Sequence, residues 1–135
     1  MVQDNNAGSF ERWFSQAEYD LAAAKNSVKS GDFEWACFQS QQAAEKALKA
    51  FLFLKGKRGV VSHSVYQLLR ECGVFDKRFS SLAECRALDQ YYVPTRYPDG
   101  LPDDIPHNFF KKEDAEKCVG LAGKALFETK RLAGR

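Results

Sequence analysis

Apolar side chains recur every three or four positions along most of this chain, a spacing that predicts helices. Between Phe10 and Ser30 the set is Phe10, Trp13, Phe14, Ala17, Leu21, Ala24 and Val28, a single stripe with Arg12, Glu18 and Lys25 outside it. Residues 1–9 are polar and lack that pattern, so they are expected to be a flexible lead-in to one domain spanning 10–135. Gly31 breaks the first helix, and Asp32 is placed to cap a second whose first turn carries Glu34. That second helix is predicted to run to about Lys55. Its apolar positions, among them Phe33, Ala36, Cys37, Ala44, Ala47, Leu48, Phe51 and Leu54, cover a wide arc, as expected of a central helix with several neighbours. Gly56 and Gly59 then bracket the basic turn Lys57-Arg58.

A short third helix is predicted from Val65 to Glu71, opened by Ser64 and Gln67 at capping-box spacing. A fourth is predicted from Asp76 to Tyr91, with Phe79, Leu82, Cys85 and Leu88 facing inward, a second capping box at Ser81 and Glu84, and Pro94 as its stop. All four prolines fall between Tyr91 and Phe110, with Gly100, Asp99, Asp103 and Asp104, which predicts a long loop. A last helix, Lys111 to Ala133, places Ala115, Cys118, Val119, Ala122, Leu126 and Thr129 on one face. The expectation is all-α: an up-and-down bundle of about five helices with a proline-rich loop before the last.

Composition narrows the function classes. Twenty basic against 18 acidic side chains leave a net charge of +2, too little for a broad duplex-binding surface, so any nucleic-acid site must be local. The most apolar run, Ala47 to Leu54, is interrupted by Lys49 and is far short of a membrane span of about 20 residues. The start of the chain has no secretory pattern, and a cytoplasmic location is expected. Cys37, Cys72, Cys85 and Cys118 are widely spaced without a Cys-x-x-Cys pair, which argues for packed thiols and against a metal site; no cofactor is expected.

Gln41-Gln42-Ala43-Ala44-Glu45-Lys46-Ala47-Leu48-Lys49-Ala50 resembles the central signature of HEPN domains, named for nucleotide binding in higher eukaryotes and prokaryotes. Trp13 to Leu21 resembles the family's opening helix and His63-Ser64 its loop element. Leu88 to Pro98, read Leu-Asp-Gln-Tyr-Tyr-Val-Pro-Thr-Arg-Tyr-Pro, is similar to its aromatic segment. The resemblance implies a helical bundle, a homodimer, and a groove for nucleotide or RNA. It also implies a partner, the small nucleotidyltransferase beside which such domains are encoded. Some members resemble toxins, metal-independent ribonucleases with the nucleotidyltransferase as antitoxin, whereas others bind nucleotides; a purely structural dimer that recruits the nucleotidyltransferase is a third reading.

Cleavage of RNA without a metal needs a base to take the 2′-hydroxyl proton and a fixed cation to stabilise the phosphorane, tasks suited to histidine and arginine. Arg58 and His63 have the ribonuclease spacing but fall in the turn after the second helix, whereas the family's pair lies near the last long helix. There, Arg96 and His107 are too far apart to fit that spacing. Tyr91, Tyr92, Arg96 and Tyr97 offer rings to stack on a base and a guanidinium to fork a phosphate, unless Arg96 pairs with Asp99 or Asp103. Gln42, Glu45, Lys46 and Lys49 share a polar face of the second helix, either lining a groove or simply solvated with a Glu45–Lys49 pair. His63 either packs on the third helix or contacts the ligand, and His107 is expected to be a solvated loop residue.

Overall fold

The computed structural model describes residues 2–135, with side chains described from residue 5 onward. The architecture is α1 (Val2–Ser30), α2 (Phe33–Leu54), α3 (Val65–Phe75), a 3-10 helix (Lys77–Tyr91), a 3-10 turn (Pro98–Gly100), α4 (Pro106–Phe109) and α5 (Lys112–Leu132). The described residues hold no strand. None of the described helices is long and apolar enough to cross a membrane.

α2 is the central element. Fourteen of its 22 residues are buried, and two apolar clusters meet on it. Ala43, Ala47 and Ala50 face α1 and α5 beside Phe10, Phe14, Ala17, Ala122 and Leu126. Ala44, Leu48, Phe51 and Leu52 face the other way, onto Val65, Leu68, Phe79, Leu82, Leu88 and Cys118. Alanine on the α1 side lets the two backbones approach closely, while the large side chains fill the wider gap to α3 and the 3-10 helix. Phe51 and Phe79 meet edge to face at 4.5 Å, and burial of each ring stabilises the fold by roughly 1.5–3 kcal/mol. All four cysteines are buried thiols within this packing.

α1 spans Val2–Ser30, so residues 2–9 of the segment read as a lead-in lie within the helix, and Met1 lies outside the described residues. Once a buried turn such as Phe10–Phe14 nucleates a helix, each added polar residue gains a backbone hydrogen bond at little further cost. Asn6 also has a long-range partner, since it accepts a 2.6 Å hydrogen bond from Arg58 Nη2. Asp32 does not cap α2 with its side chain. It occupies the position after Gly31 (φ +81), where its N–H donates to Ser27 O at 2.9 Å and closes the end of α1. Its carboxylate instead accepts from the Ser30 hydroxyl. Gly56 (φ +86) ends α2 in the same manner, with Lys57 N–H donating to Leu52 O.

α3 runs four residues past its predicted end, to Phe75. The fourth predicted helix is present between the expected bounds, but wound as a 3-10 helix. Phe79, Leu82, Cys85 and Leu88 are spaced by three, and in a 3-10 helix residues three apart eclipse, so they form one straight buried stripe. The capping box proposed at Ser81 and Glu84 is absent, because those residues lie inside the helix. Asp76 is the cap, accepting from Arg78 N–H at 3.0 Å, and Glu84 pairs with Lys124 on α5.

Candidate functional site

The stripe Phe38, Gln41, Gln42, Glu45 and Lys49 runs down one side of α2. It meets two other segments, the turn before α3 and the turn after the 3-10 helix. Glu45, 4% exposed, is the hub. Its carboxylate accepts from Lys49 Nζ at 3.1 Å and Gln41 Nε2 at 3.2 Å, and lies 3.3 Å from His63 Nδ1. Gln41 also donates to the His63 carbonyl at 3.0 Å, which fixes the backbone of that turn against α2. A buried carboxylate is costly unless paired and hydrogen-bonded, and these partners supply both conditions. Lys49 is itself buried and lies 5.8 Å from the Trp13 ring.

His63 is exposed, and its ring stacks on Tyr92 at 5.3 Å and 15°. With Nδ1 engaged by Glu45, Nε2 is the nitrogen left for other chemistry. Ser62, His63, Ser64, Asp89 and Tyr92 enclose an open cleft of about 360 Å³. Asp89 builds its floor by capping α3: its carboxylate accepts from Val65 N–H at 2.6 Å, Tyr66 N–H at 3.1 Å and the Ser64 hydroxyl at 2.9 Å. Ser64 in turn accepts from Gln67 N–H, half of the predicted capping box, while its own N–H donates to Ser62 Oγ at 3.0 Å instead of to the Gln67 side chain.

Arg96 sits on the far side of Tyr92. Its guanidinium carbon lies 4.4 Å from the Phe38 ring centre, 4.6 Å from Tyr92 and 5.2 Å from Tyr97, within cation–π range of all three. Nε donates to Tyr92 O at 2.9 Å, which orients the planar fork. Among the described residues no carboxylate is paired with it, so the anticipated Asp99 or Asp103 partnership does not form. Buried Thr95 pins the turn through a 2.6 Å bond to Tyr91 O. Gly100 folds back closely on Pro94: a Cβ there would lie 3.0 Å from Pro94 Cα, so a side chain at this position would have to displace the turn by a few tenths of an ångström.

The other candidates fall elsewhere. Tyr91 turns toward the core, 5.9 Å from Phe110, and burial pushes its hydroxyl pKa up to about 12. Lys46 pairs with Asp20 of α1 at 2.5 Å and lines a depression with Arg12, Trp13 and Gln16. Gln42 joins the hub by donating to Gln41 Oε1 at 2.8 Å. Arg58 is bonded to Asn6 and to the Lys57 carbonyl and does not line the cleft. His107 is exposed but not merely solvated: Nδ1 lies 3.1 Å from both oxygens of buried Glu34 and ties the loop to α2. The sequence reading missed Phe38, Gln41 and Asp89. Phe38 and Gln41 could have been found from their helical spacing to Glu45, whereas the role of Asp89 depends on a contact across 24 residues.

Residues 10–132 match the family model of the HEPN domain. The chain belongs to the HEPN family. It is 32% identical over 123 residues to the Methanocaldococcus jannaschii protein named "Putative toxin MJ1304", an alignment covering 84% of this chain and 81% of that protein. Among solved structures it is similar to TT1696 from Thermus thermophilus, with a TM-score of 0.86, 36% identity, and 94% of this chain and 98% of that one covered. It is also similar to ST0689, described as an archaeal HEPN homologue, with a TM-score of 0.74, 36% identity, and 92% and 97% covered. The fold and the signature read from Gln41 to Ala50 therefore agree.

Proposed function

We propose that this HEPN protein binds a nucleotide or a short RNA segment across Tyr92, from the cleft beside His63 on one side of that ring to Arg96 on the other, acting as a homodimer with a small nucleotidyltransferase partner in the cytoplasm. The observation that carries this reading is Arg96, a guanidinium held among three rings with no carboxylate paired to it among the described residues. Such a group presents forked donors to a phosphate while Tyr92, Tyr97 and His63 offer faces to a base. Gln42, Glu45 and Lys49 act from behind, by fixing His63, and Lys46 serves the α1–α2 contact. Binding of ATP and of short single-stranded RNAs, followed by calorimetry, tests this. Arg96→Ala should weaken affinity by about 10- to 100-fold, the loss of a charge-assisted phosphate contact worth about 1.5–3 kcal/mol. Unchanged affinity removes Arg96 from the site.

A second reading is a metal-independent ribonuclease, favoured by the toxin name of the archaeal relative and by the Glu45–His63 contact. In it His63 takes the 2′-hydroxyl proton, the 2′-oxygen attacks phosphorus, and the P–O5′ bond breaks to leave a 2′,3′-cyclic phosphate, the departing 5′-oxygen taking a proton from water to become a hydroxyl, with Arg96 stabilising the phosphorane. RNA cleavage in EDTA, lost in His63→Ala and retained in His107→Ala, marks this activity. Its absence from well-folded wild type leaves binding as the function.

A further inference from the structure

A second concavity, of about 370 Å³, lies between α3 and the 3-10 helix, away from Arg96. Its floor is apolar, built from Tyr66, Leu69, Phe79 and Ala83, and Arg70, Lys77 and Arg86 stand around it. None of these three cations is in an ion pair among the described residues. Tyr66 is half exposed, and the adjoining end of α3 presents Val74 and Phe75 to solvent. A groove with an apolar base and a cationic border fits an acidic segment that carries apolar side chains.

The chain contains such a segment. Between Pro98 and Phe109, Asp99, Asp103 and Asp104 are exposed and none is in an ion pair among the described residues, while Ile105 and Phe109 stand about half exposed beside them. In its own protomer the segment is tied down: Leu101 packs on the core, and His107 is held on Glu34. None of its residues lines the groove of its own chain. A second copy can supply it.

We propose that two copies of this chain associate by placing the proline-rich loop of each into the α3/3-10 groove of the other, Ile105 and Phe109 against the apolar floor and the aspartates against Arg70, Lys77 and Arg86. The contact is isologous, so each dimer holds it twice. This goes beyond the ligand reading above, in which a dimer is only an implication of the family. It also places the partner's loop beside the ligand cleft, because Arg86 is three residues from Asp89 on the same 3-10 helix.

Charge exchange tests the proposal. Wild type should sediment as a dimer in analytical ultracentrifugation. Arg70→Glu/Arg86→Glu and, separately, Asp99→Lys/Asp103→Lys should each weaken the dimer by about 100-fold or more, since like charges then face each other in both contacts. An equimolar mixture should recover association, because both contacts of the mixed pair again join opposite charges. Gly73→Trp gives an independent arm: a Cβ at Gly73 meets no atom within 4 Å, so the ring can fill the groove without disturbing α3, and dimerisation should be lost. A monomeric wild type, a dimer indifferent to both charge variants and to Gly73→Trp, or a mixture that stays monomeric would each overturn it. ATP and RNA affinity of Arg96→Ala is read separately, so loss of the ligand reading and loss of this interface are distinguishable.

Discussion

Replacing Lys49 by methionine tests whether the Glu45 hub is what holds the site together. Both members of the pair are 4% exposed, and their charged atoms are 3.1 Å apart. Methionine conserves most of the buried volume, so the loss isolates the charge. Removing one partner of a buried ion pair costs about 3–5 kcal/mol, because the remaining charge is left without compensation. Glu45 would still accept from Gln41 at 3.2 Å and face His63 at 3.3 Å, which places the expected cost near the lower end, about 3 kcal/mol. For a chain of this size that lowers Tm by roughly 10 °C. Glu45→Gln alone strands the buried Lys49 and should cost about as much, whereas Glu45→Gln with Lys49→Met removes both charges and should return to within about 1 kcal/mol of wild type, well short of the sum of the two single losses. Urea unfolding followed by circular dichroism measures all three variants. A loss below about 1 kcal/mol in Lys49→Met, or additive effects in the double variant, would refute the idea that these charges compensate each other.

Two further outcomes follow from the geometry. Asp89→Ala removes three hydrogen bonds from the start of α3 and should lower stability by about 2 kcal/mol, as measured by thermal unfolding, while weakening ligand binding through the loosened Ser62–Ser64 wall. A thiol-specific chromophoric reagent at pH 8 should leave the native protein unlabelled and react four times per chain in denaturant. Burial pushes the Cys85 thiol up to about 11 and raises Cys72 well above its ordinary value, and Cys37 is raised by its thiol contact with Cys118. Rapid native labelling of any one of them would contradict the packing described.

The helices were legible because each buries one continuous face, and a period near 3.6 survives in the residue order whatever the neighbours are. The start of α1 was not, since the polar order of residues 5–9 shows no apolar stripe, and a helix can be extended there through backbone bonds that any polar residue can make. Within the candidate site, Tyr92, Arg96, Tyr97 and His63 stood out as candidates because stacking and phosphate recognition need those side-chain types, and the structure brings them together around Tyr92. The polar face of α2 was harder. Glu45 and Lys49 look like a solvated pair in sequence, and only the turn at His63 and the ring of Trp13, folded over them, make them internal. Lys46, three residues from Lys49, stays partly exposed because it lies at the edge of the α1 contact, paired with Asp20 and bordering an open depression with Arg12, Trp13 and Gln16. Adjacent members of one motif thus take different tasks according to which element lies above them.

The 3-10 winding explains how one short helix serves both the core and the surface. At three residues per turn, positions three apart lie in straight rows, whereas 100° steps of an α-helix would carry them progressively around the axis. Phe79, Leu82, Cys85, Leu88 and Tyr91 form the row that seals the core. Lys77, Ser80, Ala83, Arg86 and Asp89 form the next, and its continuation reaches Tyr92. The first four line the apolar groove, and the last, with Tyr92, lines the cleft beside His63. Rewound as an α-helix, the same residues could not keep Asp89 under the N-terminus of α3, Tyr92 under His63 and Phe79 on Phe51 at once. The length of this 3-10 segment therefore has a structural consequence: the groove, the α3 cap and the ring that stacks on His63 all lie along a single straight row.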